Sequence, residues 1–150
     1  MKNYIWIIAL ISFFFAACSK DQTSIDKDII VKYLKDNNLT AQSTAEGLYY
    51  IIDTLGNGAD FPTVNSTVEM YYKGYLTDGK VFDQTLRPSG VLKYPLTSLI
   101  TGWQIGVPKF KKGGKGKLLI PSNLGYGSSA TGSIPANSVL IFDIELVNFY

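Results

Sequence analysis

The chain has 150 residues, of which 46% are hydrophobic, 13% aromatic and 17% charged, and its formal net charge is +2. This length and apolar content suit one folded domain with short appendages, and so small a charge gives no broad basic surface for nucleic acid. The sequence contains no histidine, which excludes Ser-His-Asp and Cys-His catalysis and every metal site built on imidazole. We therefore expect no nucleic-acid partner, no metal and no cofactor.

The first 18 residues, MKNYIWIIALISFFFAAC, have the pattern of an export signal. The apolar run over residues 4–17 is short for a membrane span, which needs about 20 residues. We interpret residues 1–17 as a signal peptide. FAAC resembles the lipobox of bacterial lipoproteins, although Phe15 stands where leucine is usual, and this resemblance implies that Cys18 is lipidated. The alternative is an ordinary cleaved signal in which the cysteine is incidental.

Residues 18–46 are predicted to form a lipidated tether that contains one short amphipathic helix. Apolar side chains recur at helical spacing over residues 24–37, namely Ile25, Ile29, Ile30, Tyr33 and Leu34. Ser24 or Asp26 can cap the start of this helix, and an Asn-Asn pair ends it. The polar linker that follows places the domain boundary near residue 46.

Strand-like segments then continue to the C-terminus, joined by turns rich in Gly and Asp. They cover residues 48–53, 67–76, 80–83, 117–120 and 138–150. Alternation puts Val68, Met70 and Tyr72 on one face of the second segment. In the last segment, one face carries Leu140, Phe142, Ile144 and Leu146, and the other carries Val139, Ile141, Asp143 and Glu145. This pattern predicts an antiparallel sheet with one core face and one wetter face.

One helix is predicted within this region, over residues 95–107. Its apolar residues recur at helical spacing, and Gly106 with Pro108 stops it. A short helix packed on a curled antiparallel sheet is an α+β domain.

Glycine-rich and acidic segments offer little chemistry. GNG at 56–58 and GGKGKL at 113–118 lack the remainder of a dinucleotide or phosphate-binding motif, so we interpret both as hairpin turns. Asp143 and Glu145 point outward by the alternation above, which disfavours a carboxylate pair across a cleft. An aromatic set on the inner face remains, together with Tyr126 and Ile134 in a loop of small polar residues. By pattern alone this set is simply core.

Three motifs change that interpretation. YYKGYLTDGKVFDQT, LITGWQIGV and LLIPSNLGYGSSATGSIPANSVLIFDIEL resemble, in order and spacing, the FKBP-type peptidyl-prolyl cis-trans isomerases. The resemblance covers residues 47–150 and implies an isomerase domain there. It further implies an antiparallel sheet of five to six strands wrapped around a short helix, with a pocket between helix and sheet.

The resemblance also assigns the pocket, position by position. It implies catalytic roles for Tyr72, Phe82, Asp83, Tyr126 and Phe142, and substrate contacts for Leu92, Leu99, Ile100, Trp103 and Ile134. Trp103 would form the floor, and the Tyr126 hydroxyl and the Ile134 backbone N–H would donate hydrogen bonds to the substrate. Leu92 stands where the family commonly has an aromatic residue, so we expect altered substrate or inhibitor preference at the rim.

The predicted function is prolyl isomerisation that assists the folding of exported proteins. Its partners would be proline-containing polypeptides, macrolide inhibitors and, through the N-terminal lipid, a membrane of the bacterial cell envelope on the periplasmic side or at the outer membrane. The alternative is a chaperone-like module that holds proline-containing or unfolded segments with little turnover. The helix over residues 24–37 is about one-quarter of the length of the dimerisation arm in longer relatives, so a monomer is expected.

Overall fold

A computed structural model describes residues 21–88 and 90–150. The predicted signal peptide and Cys18 therefore lie outside the described residues. Within the described ranges, no helix has the length and apolar character needed to cross a membrane.

Seven strands form one antiparallel sheet, preceded by a helix and interrupted by a second one. The helices are α1 (Gln22–Asp36) and α2 (Thr101–Gly106), and the strands are β1 (Gln42–Ser43), β2 (Tyr49–Thr54), β3 (Thr67–Tyr75), β4 (Val81–Thr85), β5 (Leu92–Pro95), β6 (Lys115–Ile120) and β7 (Leu140–Phe149). Short 3-10 turns occupy Leu96–Ser98, Val107–Lys109 and Ser122–Leu124.

The strand order is β1-β2-β6-β7-β3-β4, and β5 also pairs with β3. The α+β class is confirmed, whereas the sheet has seven strands in place of the expected five to six. Two of the seven are short strands that the sequence pattern did not indicate. One is the two-residue β1, and the other is β5, which pairs Leu92 with Met70 at the sheet edge.

The main core lies between α2 and the inner face of the sheet. As predicted, the inner face of β7 contributes Leu140, Phe142, Ile144 and Leu146 to it. The helix spans only residues 101–106, shorter than the predicted 95–107, and it packs close to β6. A Cβ on Gly102 would lie 2.5 Å from the Ile120 side chain, so glycine at this position permits the close approach.

The outer face of the sheet carries a second apolar cluster, the outer cluster, formed by Ile30, Leu34, Leu119, Val139 and Ile141. Ile30 and Leu34 come from α1, which therefore lies against the sheet. The expectation of a wetter outer face is wrong where α1 covers it, because Val139 and Ile141 are buried there. The domain division at residue 47 remains a prediction.

The start of α1 also differs from the expectation. Asp21 is the N-cap and accepts a hydrogen bond from the Ser24 backbone N–H at 2.7 Å. Asp26, one of the two predicted caps, is fully buried inside the helix and bonds to Ser122 instead. Ile25, predicted on the packed face, is exposed.

Candidate functional site

A cavity of about 290 Å³ opens between α2 and the inner face of the sheet. Nine of the ten predicted pocket residues line it: Tyr72, Phe82, Asp83, Leu92, Leu99, Ile100, Trp103, Tyr126 and Phe142. The sheet therefore brings together side chains that are up to 70 residues apart in sequence, from Tyr72 to Phe142. Most of the lining is apolar or aromatic, as expected of a small-ligand site.

The strand order positions the aromatic walls. Gly74 of β3 pairs with Phe142 of β7 on one side and with Asp83 of β4 on the other. A Cβ on Gly74 would lie 2.6 Å from the Phe82 ring and 2.7 Å from the Phe142 ring. Because Gly74 has no side chain, these two rings meet above it in an edge-to-face contact with centroids 5.5 Å apart.

Trp103 of α2, which the family resemblance implies as the floor, lines the cavity. Only 3% of its surface is exposed. Its ring meets those of Tyr72 and Phe142 edge-to-face, each with centroids 5.2 Å apart. The indole Nε1 is buried and has no hydrogen-bond partner among the residues described. The floor is therefore aromatic.

Among the predicted residues, two tyrosine hydroxyls and one carboxylate supply polarity. The Tyr72 hydroxyl donates to Asp83 Oδ2 at 2.6 Å. Burial raises the pKa of Tyr72, and the hydrogen bond to Asp83 and the charge of that carboxylate act in the same direction. The pKa of Tyr126, at the rim and 40% exposed, is raised by burial and then by the charge of Asp83. Both phenols are thus neutral at physiological pH and able to donate hydrogen bonds.

Ile134 is the exception among the ten predicted residues. Its side chain is 6% exposed and packs in the main core instead of lining the cavity. Its backbone N–H donates to the Thr131 carbonyl at 2.9 Å, so the expected hydrogen bond to a substrate is not available in this arrangement. The N–H of Ile100, the N-cap of α2, has no acceptor within residues 21–88 and 90–150 and lies at the cavity lining. Ile100 is the better candidate for a backbone donor.

Sequence reasoning missed two lining residues, Tyr94 and Ser98. Tyr94 belongs to β5, the edge strand that the pattern did not indicate, and it shares a strand face with Leu92. Alternation between these two positions is the signal that could have found it. Ser98 ends a 3-10 turn before α2, which nothing in the sequence marked.

The loop at 121–137 holds Tyr126 by backbone bonds. The Ser122 carbonyl accepts from the N–H of Gly125 at 2.9 Å and from that of Gly127 at 2.8 Å. The Gly127 carbonyl in turn accepts from Asn137 at 2.8 Å. Small residues permit this tight turn, so Tyr126 is presented at the cavity rim while Ile134 anchors the loop in the core.

Other candidate clusters carry no site. Gly113 has φ of +80° in a turn where the Lys112 carbonyl accepts a hydrogen bond from the Asn57 N–H at 3.0 Å. The prediction of two hairpin turns is wrong, because residues 115–118 belong to β6 and because GNG at 56–58 lies between β2 and β3, which do not pair. In the part of the chain that the structure describes, no group of three or more acidic or cysteine side chains is placed to hold a metal ion.

The family model for FKBP-type peptidyl-prolyl cis-trans isomerases matches residues 58–147. The chain is 50% identical over 105 residues to the FKBP-type isomerase FkpA of Buchnera aphidicola from Schizaphis graminum, covering 70% of this chain and 42% of the relative. It is 39% identical over 128 residues to FkpA of Escherichia coli K12, covering 85% of this chain and 46% of the relative. The chain thus spans less than half the length of these two curated relatives.

Solved structures give the same similarity. The crystal structure of FkpA from Escherichia coli has a TM-score of 0.75 and 37% identity, over 86% of this chain and 59% of that one. A peptidyl-prolyl cis-trans isomerase from Pseudomonas syringae pv. tomato has a TM-score of 0.70 and 29% identity, over 87% of this chain and 98% of that one.

Proposed function

This chain belongs to the FKBP-type peptidyl-prolyl cis-trans isomerase family, and from that premise we propose that it catalyses cis-trans isomerisation of X-Pro bonds in polypeptides. The observation that carries the proposal is the cavity between α2 and the sheet, whose walls are aromatic, whose floor is Trp103 and whose phenols are neutral. A single X-Pro unit fits the volume of about 290 Å³ better than a folded partner would.

The reaction requires no covalent step. Rotation about the X-Pro bond faces a barrier of about 18–20 kcal/mol, since the twisted amide loses its resonance. Twisting localises the nitrogen lone pair and lowers the dipole of the amide. An apolar, water-excluding slot therefore favours the twisted form over the planar one. Lowering the barrier by about 5 kcal/mol would accelerate rotation several-thousand-fold.

The cavity residues divide these tasks. Phe82, Phe142 and Trp103 would enclose the prolyl ring and exclude water, because their rings contact one another edge-to-face around the same space. The Tyr126 hydroxyl and the unpaired Ile100 N–H would donate hydrogen bonds to substrate carbonyls. Asp83 would hold the Tyr72 hydroxyl away from the prolyl ring by accepting its hydrogen bond at 2.6 Å.

The cellular setting is part of the proposal. Unaided isomerisation takes tens of seconds and can limit folding, which gives an isomerase a purpose among exported proteins. The signal-like residues 1–17 favour the cell envelope, and the lipobox-like FAAC favours anchoring through a lipid on Cys18. Labelled fatty acid should then be incorporated into the wild type and not into Cys18→Ala, and a wild type without the label would contradict lipid anchoring.

The test is the isomerisation rate of a proline-containing peptide, measured with the purified wild type and with Phe82→Ala. Phe61→Ala is the matched control, because Phe61 is an exposed phenylalanine outside the cavity. We expect catalysis that Phe82→Ala abolishes, that Phe61→Ala leaves intact and that a macrolide blocks. A folded wild type that binds unfolded clients without accelerating the reaction would overturn the enzyme proposal in favour of a binding module.

A further inference from the structure

One buried carboxylate lies outside the cavity and has no part in the proposed chemistry. Asp26 of α1 is fully buried. Its Oδ2 accepts hydrogen bonds from the Ser122 N–H at 2.7 Å and the Ser122 hydroxyl at 2.6 Å, and its Oδ1 accepts one from Gln22 at 2.7 Å. A buried carboxylate is tolerated only when its oxygens are satisfied in this way. The contact between Asp26 and Ser122 is therefore specific in geometry.

Ser122 makes a second set of bonds in the opposite direction. Its carbonyl accepts from the N–H groups of Gly125 and Gly127, the two residues that flank Tyr126. One residue thus connects α1 to both sides of the turn that presents the Tyr126 hydroxyl. The bonds to Asp26 fix its N–H and side chain, and the bonds to the glycines use its carbonyl.

We propose that Asp26 is a positioning residue for the isomerase reaction, which acts through Ser122 to hold the Tyr126 hydroxyl over the cavity. The inference rests on the proposed function for the role of Tyr126. Its physical basis is that hydrogen bonds to a buried carboxylate are short, directional and strengthened by the low local dielectric. The loop itself consists mostly of small residues and has few side chains of its own to fix the turn.

Without the Asp26 carboxylate, the N–H and the hydroxyl of Ser122 would lose their charged acceptor. The turn would then shift or fluctuate, and a displacement of about 1 Å at a positioning group can cost up to about 100-fold in rate. Helix α1 lies on the outer face, opposite the cavity, so no direct contact between Asp26 and substrate is involved.

The experiment compares Asp26→Asn, Ser122→Ala and Ile30→Val with the wild-type chain. Asp26→Asn keeps the shape and weakens both bonds to Ser122, Ser122→Ala removes only the hydroxyl donor, and Ile30→Val loosens the packing of the same helix without touching either residue. We expect kcat/KM to fall about tenfold in Asp26→Asn and about threefold in Ser122→Ala, and to stay within about twofold in Ile30→Val.

Amide hydrogen exchange separates positioning from general destabilisation. In Asp26→Asn, the amides of Gly125 and Gly127 should exchange at least about tenfold faster, while the amide of Gly114, which bonds to Lys111 in another turn, should keep its rate. Uniform acceleration of all three amides would overturn the proposal, since it would reduce Asp26 to a stabilising residue.

A double-mutant cycle tests the route through Tyr126. If Asp26 acts through the tyrosine, Asp26→Asn should lower kcat/KM by less than about twofold in a Tyr126→Ala background. Full additivity would overturn the route. A wild type without activity would instead refute the proposed function, and hydrogen exchange at Gly125 and Gly127 would then decide alone whether Asp26 holds the turn.

Discussion

The two faces of the sheet are packed by helices of very different length. On the outer face, the 15-residue α1 covers an aliphatic cluster. On the inner face, the six-residue α2 covers only part of a surface that carries aromatic rings, and the uncovered remainder is the cavity. Both faces use the same strands and the same alternation of side chains. The difference shows how the site arises: α2 is too short to cover the whole inner face, and the part of that face left uncovered is the cavity.

Polar groups follow the same division. Tyr72 and Tyr75 both lie on β3, and each hydroxyl bonds to a carboxylate. On the inner side, Tyr72 bonds to Asp83 at the edge of the cavity. On the outer side, Tyr75 joins Lys117 and Asp143, which pair closely with each other. The inner arrangement leaves donors free for a ligand, whereas the outer one satisfies its members among themselves.

Adjacent residues of β7 provide the largest test of this comparison. Phe142 contacts the rings of Tyr72, Phe82 and Trp103, so Phe142→Leu should lower kcat/KM about 100-fold by loosening all the cavity walls. The fold should persist, with a loss of about 1 kcal/mol in the free energy of unfolding. Peptide isomerisation assays and thermal unfolding of the variant measure the two effects. Unchanged kcat/KM would show that this ring is only core.

The neighbouring position should behave in the opposite way. Ile141 is fully buried in the outer cluster, and Ile141→Val should cost about 1 kcal/mol in the free energy of unfolding through the lost methyl group and the small cavity left behind. Denaturant unfolding measures this loss. Because the outer cluster lies on the far side of the sheet, kcat/KM of the folded variant should stay within about twofold. A large loss of activity would mean that the two faces are not independent.

The sequence predicted the inner face well for a physical reason. Strand side chains alternate with a period of two, so the placement of Tyr72 and Phe142 on one face follows from the pattern once the strands are recognised. The family resemblance orders the segments, and from that order we predicted that Phe82 and Trp103 lie beside Tyr72 and Phe142. Their position at the cavity is thus readable from sequence, although their roles in catalysis remain proposals.

Other features depend on contacts that a local pattern does not contain. The contact of α1 with the loop includes the bond between Asp26 and Ser122, which are 96 residues apart. The hydrogen bond from the Ile134 N–H to the Thr131 carbonyl depends on the backbone geometry of the loop, which the pattern of side chains does not predict. Strand β5 has four residues and ends in proline, which weakens every strand signal.

A smaller effect is expected at the polar edge of the outer face. Lys117→Met removes the ammonium that bonds to Tyr75 and pairs with Asp143, while the aliphatic stem is retained. Because Asp143 is about half exposed, solvent screens the pair, and the loss should be only about 0.5 kcal/mol. Denaturant unfolding at low and high salt measures it, and high salt should narrow the difference from wild type. A loss of several kcal/mol would indicate a buried network in place of a solvated edge.

The smallest effect should appear only at alkaline pH, where the two tyrosines of β3 can be compared directly. Burial, followed by hydrogen bonding, raises the pKa of both Tyr72 and Tyr75 above the ordinary value of 10.0. Well below pH 10 both phenols are protonated in the folded and unfolded states, so neither adds a pH dependence. As the pH rises above 10, the unfolded chain releases these protons while the folded chain keeps them, and the free energy of unfolding falls. Tyr72→Phe and Tyr75→Phe should each flatten this fall between pH 9.5 and 11 in denaturant titrations, since each removes one such proton.

Slopes equal to that of wild type in both variants would show that the two hydroxyls titrate alike in the folded and unfolded states. Flattening by Tyr75→Phe alone would show that solvent in the cavity relieves the desolvation of Tyr72, and would distinguish the open inner face from the filled outer one.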